Sequence, residues 1–210
     1  EQRAQADLVR AARQQVEPKL LQRKAQPAGL RIRPVDSSGK RISARVAVLG
    51  GDGRWHAPAD AWMHGDELYD RARFPSEVHY FHCPAEKPAC VVKVPAGRTT
   101  IQAQSGFRRM HTIIEREFPA GETMELAVGL EENDRPPEFG RFVSADLHVH
   151  MNYGGHYRST PATLLAQADA EDLDIVYNLL VNKEERIPDI AHFKSGGAAD
   201  RASGKRSLFH

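Results

Sequence analysis

The chain has 210 residues, 40% of them hydrophobic and 27% charged, a globular composition with room for one large domain or two small ones. The formal net charge of +1 comes from acids and bases interspersed along the chain, so no basic stripe marks nucleic acid as a partner. No apolar run approaches the roughly 20 residues of a spanning helix, which excludes a helical membrane span.

The chain starts at Glu1 rather than Met, as a processed product or a piece of a longer protein does. Residues 1–27 read as a helical arm. Leu8, Ala12, Val16 and Leu20 recur at four-residue spacing, with Arg, Gln and Glu on the other faces, and Pro18 kinks or divides the helix.

Over residues 28–131 the period switches to two, the mark of strands. Ile42, Ala44, Val46 and Val48 alternate after the turn Ser37-Ser38-Gly39-Lys40, and Met124, Leu126, Val128 and Leu130 do so after Pro119-Ala120-Gly121-Glu122. Val92 and Val94 lead through Pro95-Ala96-Gly97 into Thr100-Ile101-Gln102-Ala103. Short strands punctuated by Gly and Pro predict an antiparallel β-sandwich. Its turn sequences, Val35 to Lys40 and Val94 to Arg98, resemble those of carboxypeptidase-regulatory-like domains.

Between Gly50 and Cys90 the pattern is irregular. Trp55, His56, Trp62, His64, His79 and His82 follow no compact ligand spacing and read as loop anchors and as solvated or capping histidines. Cys83 and Cys90 can close a small loop across Pro84 and Pro88. A disulfide there implies a periplasmic or extracellular protein, and two unpaired thiols a cytosolic one. Residues 132–141, with Pro136-Pro137, are charged and aperiodic and read as a linker.

In Phe142 to His150, Val143, Ala145, Leu147 and Val149 alternate with Ser144, Asp146, His148 and His150. A regular strand sends alternate side chains to one face, so Asp146, His148 and His150 are expected to project together. Two imidazoles and a carboxylate suit a divalent Zn, Mn or Fe ion, with Asp146 as a ligand or as the acceptor that orients an imidazole. A Gly-bearing loop, Met151 to Tyr157, comes next. A helix then starts at the N-cap Thr160 and Pro161, with Leu164, Leu165 and Ala168 as its apolar stripe, and yields at Glu171-Asp172 to a second apolar strand, Leu173 to Val181. This strand-loop-helix-strand order is the unit of a parallel sheet or barrel, where ligands gather at the carboxyl ends of the strands.

Asp146-Leu147-His148-Val149-His150, the helix opened by Thr160-Pro161, and Glu171 to Val176 resemble the opening of the polymerase-and-histidinol-phosphatase (PHP) metallohydrolases. With a sandwich ahead of it, the chain is similar to the carbaryl-hydrolase-related branch. The resemblance implies an α+β multidomain chain: a helical arm, a sandwich, and over residues 142–210 the first βαβ part of a (β/α)7 barrel. It also implies a small-molecule substrate with a carbamate, amide, ester or phosphoester bond, hydrolysed by metal-activated water, and His148 and His150 as metal ligands. Where the family's second strand ends in Asp-His, this chain reads Asn178 to Lys183. The alternative is a non-catalytic exported binding or structural module with a degenerate barrel.

His156, on the loop above the proposed site, is a candidate ligand or proton donor, or else stabilises a turn. Lys183 is a candidate for stabilising a developing anion, or else a solvated end-of-strand charge. His192 reads as packing, Ser195 to Ser207 as a flexible loop, and Leu208-Phe209-His210 as the start of a third strand. Oligomeric state is not legible.

Overall fold

The computed structural model of the chain describes residues 26–61, 79–134, 138, 140, 142–152, 159–180, 188–193 and 196–210. The expected helical arm lies almost wholly outside them, as do Trp62, His64, His156 and Lys183.

The described residues between 28 and 130 form a two-sheet sandwich. One sheet has the order β5-β1-β8, from Cys90–Val94, Ala28–Val35 and Thr123–Gly129. The other has the order β3-β2-β6-β7, from Trp55–His56, Ala44–Leu49, Gly97–Gln104 and Thr112–Phe118, with β4, Tyr80–Cys83, also pairing β2. The alternating apolar residues fill one core: Leu30, Ile32, Val46, Val48, Val92, Ile101 and Val128 are all fully buried. Residues of period two bury one side of each strand, which is why this pattern yields two facing sheets.

The expected antiparallel sandwich is corrected in one respect. β1 runs parallel to β8, with Gly29 beside Thr123 and Val35 beside Gly129, so that sheet is mixed. Alternation specifies which face a residue takes and leaves strand direction open. Cys83 and Cys90 are joined, and because β4 and β5 belong to different sheets, the disulfide staples the sandwich.

After the sandwich comes a smaller α/β unit. Strands β9 (Ala145–Val149), β10 (Ile175–Asn178) and β11 (Ser207–Phe209) make a parallel sheet in the order β11-β10-β9. The helix α1, Pro161–Ala170, connects β9 to β10. Thr160 caps it, accepting the Thr163 N–H at 3.3 Å, and Pro161 needs no acceptor in the first turn. Leu164 and Ala168 pack with Val176 and Leu208 in a second small core.

The fold-class expectation is overturned here. Among the described residues there is one α-helix beside eleven strands, and the three parallel strands form an open sheet rather than a (β/α)7 barrel. The motif that suggested PHP architecture is a local βαβ feature, and such a unit builds open sheets as readily as barrels. No described helix is long and apolar enough to cross a membrane.

The two units are locked together through the segment after β6. Gly106, with φ of +59°, lies so close to the α1–β10 turn that a Cβ there would stand 2.6 Å from the Glu171 carbonyl oxygen. Beside it Arg108 Nε donates to Asp172 Oδ2 at 2.6 Å, and Arg108 Nη1 lies 3.1 Å from Asp174 Oδ2. From the other side the buried Arg206 donates to Asp169 and to Asp172 at 3.0 and 3.1 Å. The expected flexible loop 195–207 is therefore anchored by a buried guanidinium, whose fork geometry satisfies several acceptors at once.

Candidate metal-binding rim

His148 and His150 converge at the carboxyl end of β9. Their Nε2 atoms are 3.1 Å apart and their rings meet edge to face. Two nitrogens bound about 2.1 Å from one tetrahedral ion stand about 3.4 Å apart, and nearer 3.0 Å on an octahedral one, so this spacing fits a shared divalent cation. His150 Nδ1 lies 3.0 Å from the Leu179 carbonyl oxygen. A carbonyl can only accept, so Nδ1 carries the proton and Nε2 of the neutral ring keeps its lone pair, the tautomer a metal ligand needs. Leu179 is itself fixed by its N–H to the Val149 carbonyl at 2.7 Å.

Asp146 is placed differently from the expectation. Ala145 pairs with Ile175 and Asp146 with Val176, but Asn178 pairs with Val149, so β9 carries one extra residue in a bulge at Leu147-His148. Paired residues share a face, which puts Asp146 and Val149 on the α1 side with Val176 and leaves His148 and His150 on the other. The Asp146 carboxylate supports the bulge by accepting the His148 N–H at 3.0 Å. Among the described residues no group of three His, Cys, Asp or Glu side chains is arranged to hold a metal.

Asn178, the first residue of the stretch that departs from the family's Asp-His, is a buried clamp. Its Oδ1 accepts the Met151 N–H at 2.8 Å and its Nδ2 donates to His210 Nδ1 at 3.0 Å. That fixes the His210 proton on Nε2, which faces Asp200 Oδ2 at 3.3 Å. Burial, partly offset by Asp200, pulls the His210 pKa below the ordinary imidazole value, so this ring is held neutral. His192 stacks on His210 with centroids 5.4 Å apart, consistent with its expected packing role. A further buried network, which sequence reasoning missed, joins Asn152 to Asp189 and to the backbone of Ser159, where the Ser159 N–H donates to Asn152 Oδ1 at 2.6 Å. Asn152 and Asp189 look like ordinary loop residues in sequence. Asn152 lies just beyond β9, and Asp189 lies in the short 3-10 helix Pro188–His192.

No protein-family model and no curated protein matches the chain. The fold, nearly all β with an open three-stranded parallel sheet, overturns the resemblance to PHP metallohydrolases, and no match supports the one to carboxypeptidase-regulatory-like domains. Among solved structures the chain is similar to the Bacillus anthracis TIE protein, at 12% identity and a TM-score of 0.33, over 51% of this chain and 17% of that one. It is also similar to GBS52, the minor pilin of the gram-positive pathogen Streptococcus agalactiae, at 9% identity and a TM-score of 0.36, over 53% of this chain and 47% of that one. The chain thus matches less than half the length of either protein, and likenesses this distant assign no family.

Proposed function

We propose that His148 and His150 supply two ligands of a divalent-metal site at the carboxyl ends of β9 and β10, and that this rim serves metal-dependent hydrolysis of an acyl or phosphoryl bond. The observation that carries it is the convergence of the two Nε2 atoms at 3.1 Å with His150 Nδ1 committed to a carbonyl. A bound Zn, Mn or Fe ion supplies Lewis acidity, which acidifies a water and polarises the scissile oxygen. The protein's part is to orient the imidazoles. Leu179 holds the His150 ring, the bulge turns His148 toward it, and Asn178 ties the Met151 segment to β10 and β11.

The Cys83–Cys90 disulfide supports an oxidising compartment, periplasmic or extracellular, as the working location. The test is reconstitution of metal-free protein with Zn, Mn or Fe, followed by assay on aryl ester, carbamate and phosphate substrates. Metal-dependent turnover that is lost in His148→Ala and His150→Ala supports the reading. Tight metal binding without turnover would leave the metal site and refute the hydrolase. Absence of metal binding would refute both in favour of a non-catalytic module.

A further inference from the structure

On the other face of β9, a cleft of about 400 Å³ opens between the sandwich and the α/β unit. Its floor is apolar, from Val149, Leu164, Leu173 and Val176, and Phe107, 86% exposed, stands at its edge. An aromatic ring displayed beside an apolar hollow is a common feature of small-molecule sites.

The polar groups of the cleft differ in what they have left to offer. Arg45 Nη2 donates to Gln104 Oε1 at 2.7 Å and its guanidinium lies over Tyr80, 5.0 Å from the ring centroid. Glu171 Oε1 lies 2.9 Å from His82 Nε2 and 3.5 Å from Arg45 Nη1. These groups satisfy one another. Among the described residues Asp146 has no cationic partner: Oδ1 accepts the His148 N–H, and none of them donates to Oδ2. The bulge has thus turned a carboxylate with spare acceptor capacity onto an apolar cleft.

We infer that this cleft binds a small organic ammonium, with the charged nitrogen on Asp146 and a compact aromatic or aliphatic body against Leu164, Leu173 and Phe107. Charge complementarity selects the class. A carboxylate ligand would meet Asp146 with like charge, and a neutral one would leave Oδ2 with water instead of a charged donor. The cleft lies on the opposite face of the strand from the two histidines, and Asp146 links the two by accepting the His148 N–H through Oδ1 while Oδ2 faces the cleft.

The experiment is an amide-resolved NMR titration of the whole chain, with chelator present, using phenethylammonium, 2-phenylethanol and 3-phenylpropionate as probes. Phenethylammonium is expected to shift the amides around Phe107, Leu164 and Leu173 and to bind about tenfold or more tightly than the alcohol, as a charge-assisted hydrogen bond implies, with the carboxylate weakest. Asp146→Asn keeps the oxygen that accepts the His148 N–H, so the fold is retained, and should erase the preference for the amine over the alcohol. Phe107→Ala, at an exposed position, should weaken both. Equal affinity for amine and carboxylate, a preference that survives Asp146→Asn, or shifts confined to other surfaces would each overturn the assignment.

Discussion

Replacing Gly106 by Ala tests whether the two units are held in one fixed arrangement. Gly106 combines a φ of +59° with a Cβ position 2.6 Å from the Glu171 carbonyl oxygen and 2.7 Å from Asp172 Cβ, contacts that flexible side-chain tips cannot relieve. Gly39 is the control, since its φ is +82° and nothing lies within 4 Å of its Cβ position. Gly39→Ala should therefore cost only the left-handed backbone term, about 1 kcal/mol. Gly106→Ala carries the same term plus overpacking of about 1–3 kcal/mol, for a total of about 2–4 kcal/mol. The excess arises because the segment must retreat from the α1–β10 turn, lengthening the Arg108 contacts to Asp172 and Asp174. Urea unfolding followed by circular dichroism measures both variants against wild type. Equal losses for the two alanines would refute the close approach and with it the fixed arrangement.

Two further outcomes follow from the same structure. Replacing Cys83 and Cys90 together by Ala should lower stability by about 2.5 kcal/mol, the loop-closure value for so short a ring, measured by urea midpoint under non-reducing conditions. An unchanged midpoint would show that the bond contributes nothing. The Asp169 carboxyl, where burial opposes ionisation but Ser43 and Arg206 outweigh it, and that of Asp174, where the Ser144 N–H and Arg108 do the same, are held below the usual carboxylate range. A depressed folded-state pKa contributes stability that is complete above the unfolded value of about 3.9 and is lost as pH falls through the folded one. The destabilisation caused by Arg206→Met should therefore be constant at neutral pH and shrink below about pH 4. A difference that persists unchanged at pH 3 would show that these carboxylates are not what Arg206 holds.

Residues that signal through local geometry were legible in the sequence. Thr160-Pro161 opens α1, the alternations through Ala44 to Val48 and Thr123 to Gly129 are strands, and Leu208-Phe209 belongs to a third parallel strand. Strands with weak alternation were not. β7 is an edge strand whose Ile113 is 59% exposed, and β4 hides among the aromatics of the irregular stretch. The bulge at Leu147-His148 misled the site reading most. One extra residue inverts the face of everything before it, and no Gly or Pro announces it, so Asp146 looked like a partner of the histidines while facing the other way. Arg206 was hidden for a different reason: its acidic partners sit in other elements, and small, charged flanking residues read as a mobile loop.

The proposed metal rim requires that His148 and His150 bind one ion through Nε2. Nitrogen-15 NMR of the imidazoles during titration of the metal-free chain with Zn²⁺ reads this directly. One equivalent of zinc should move both Nε2 resonances to metal-bound positions while His150 Nδ1 stays protonated on the Leu179 carbonyl, and either alanine substitution should abolish the response of the remaining ring. Zinc that leaves both Nε2 resonances unmoved would contradict it.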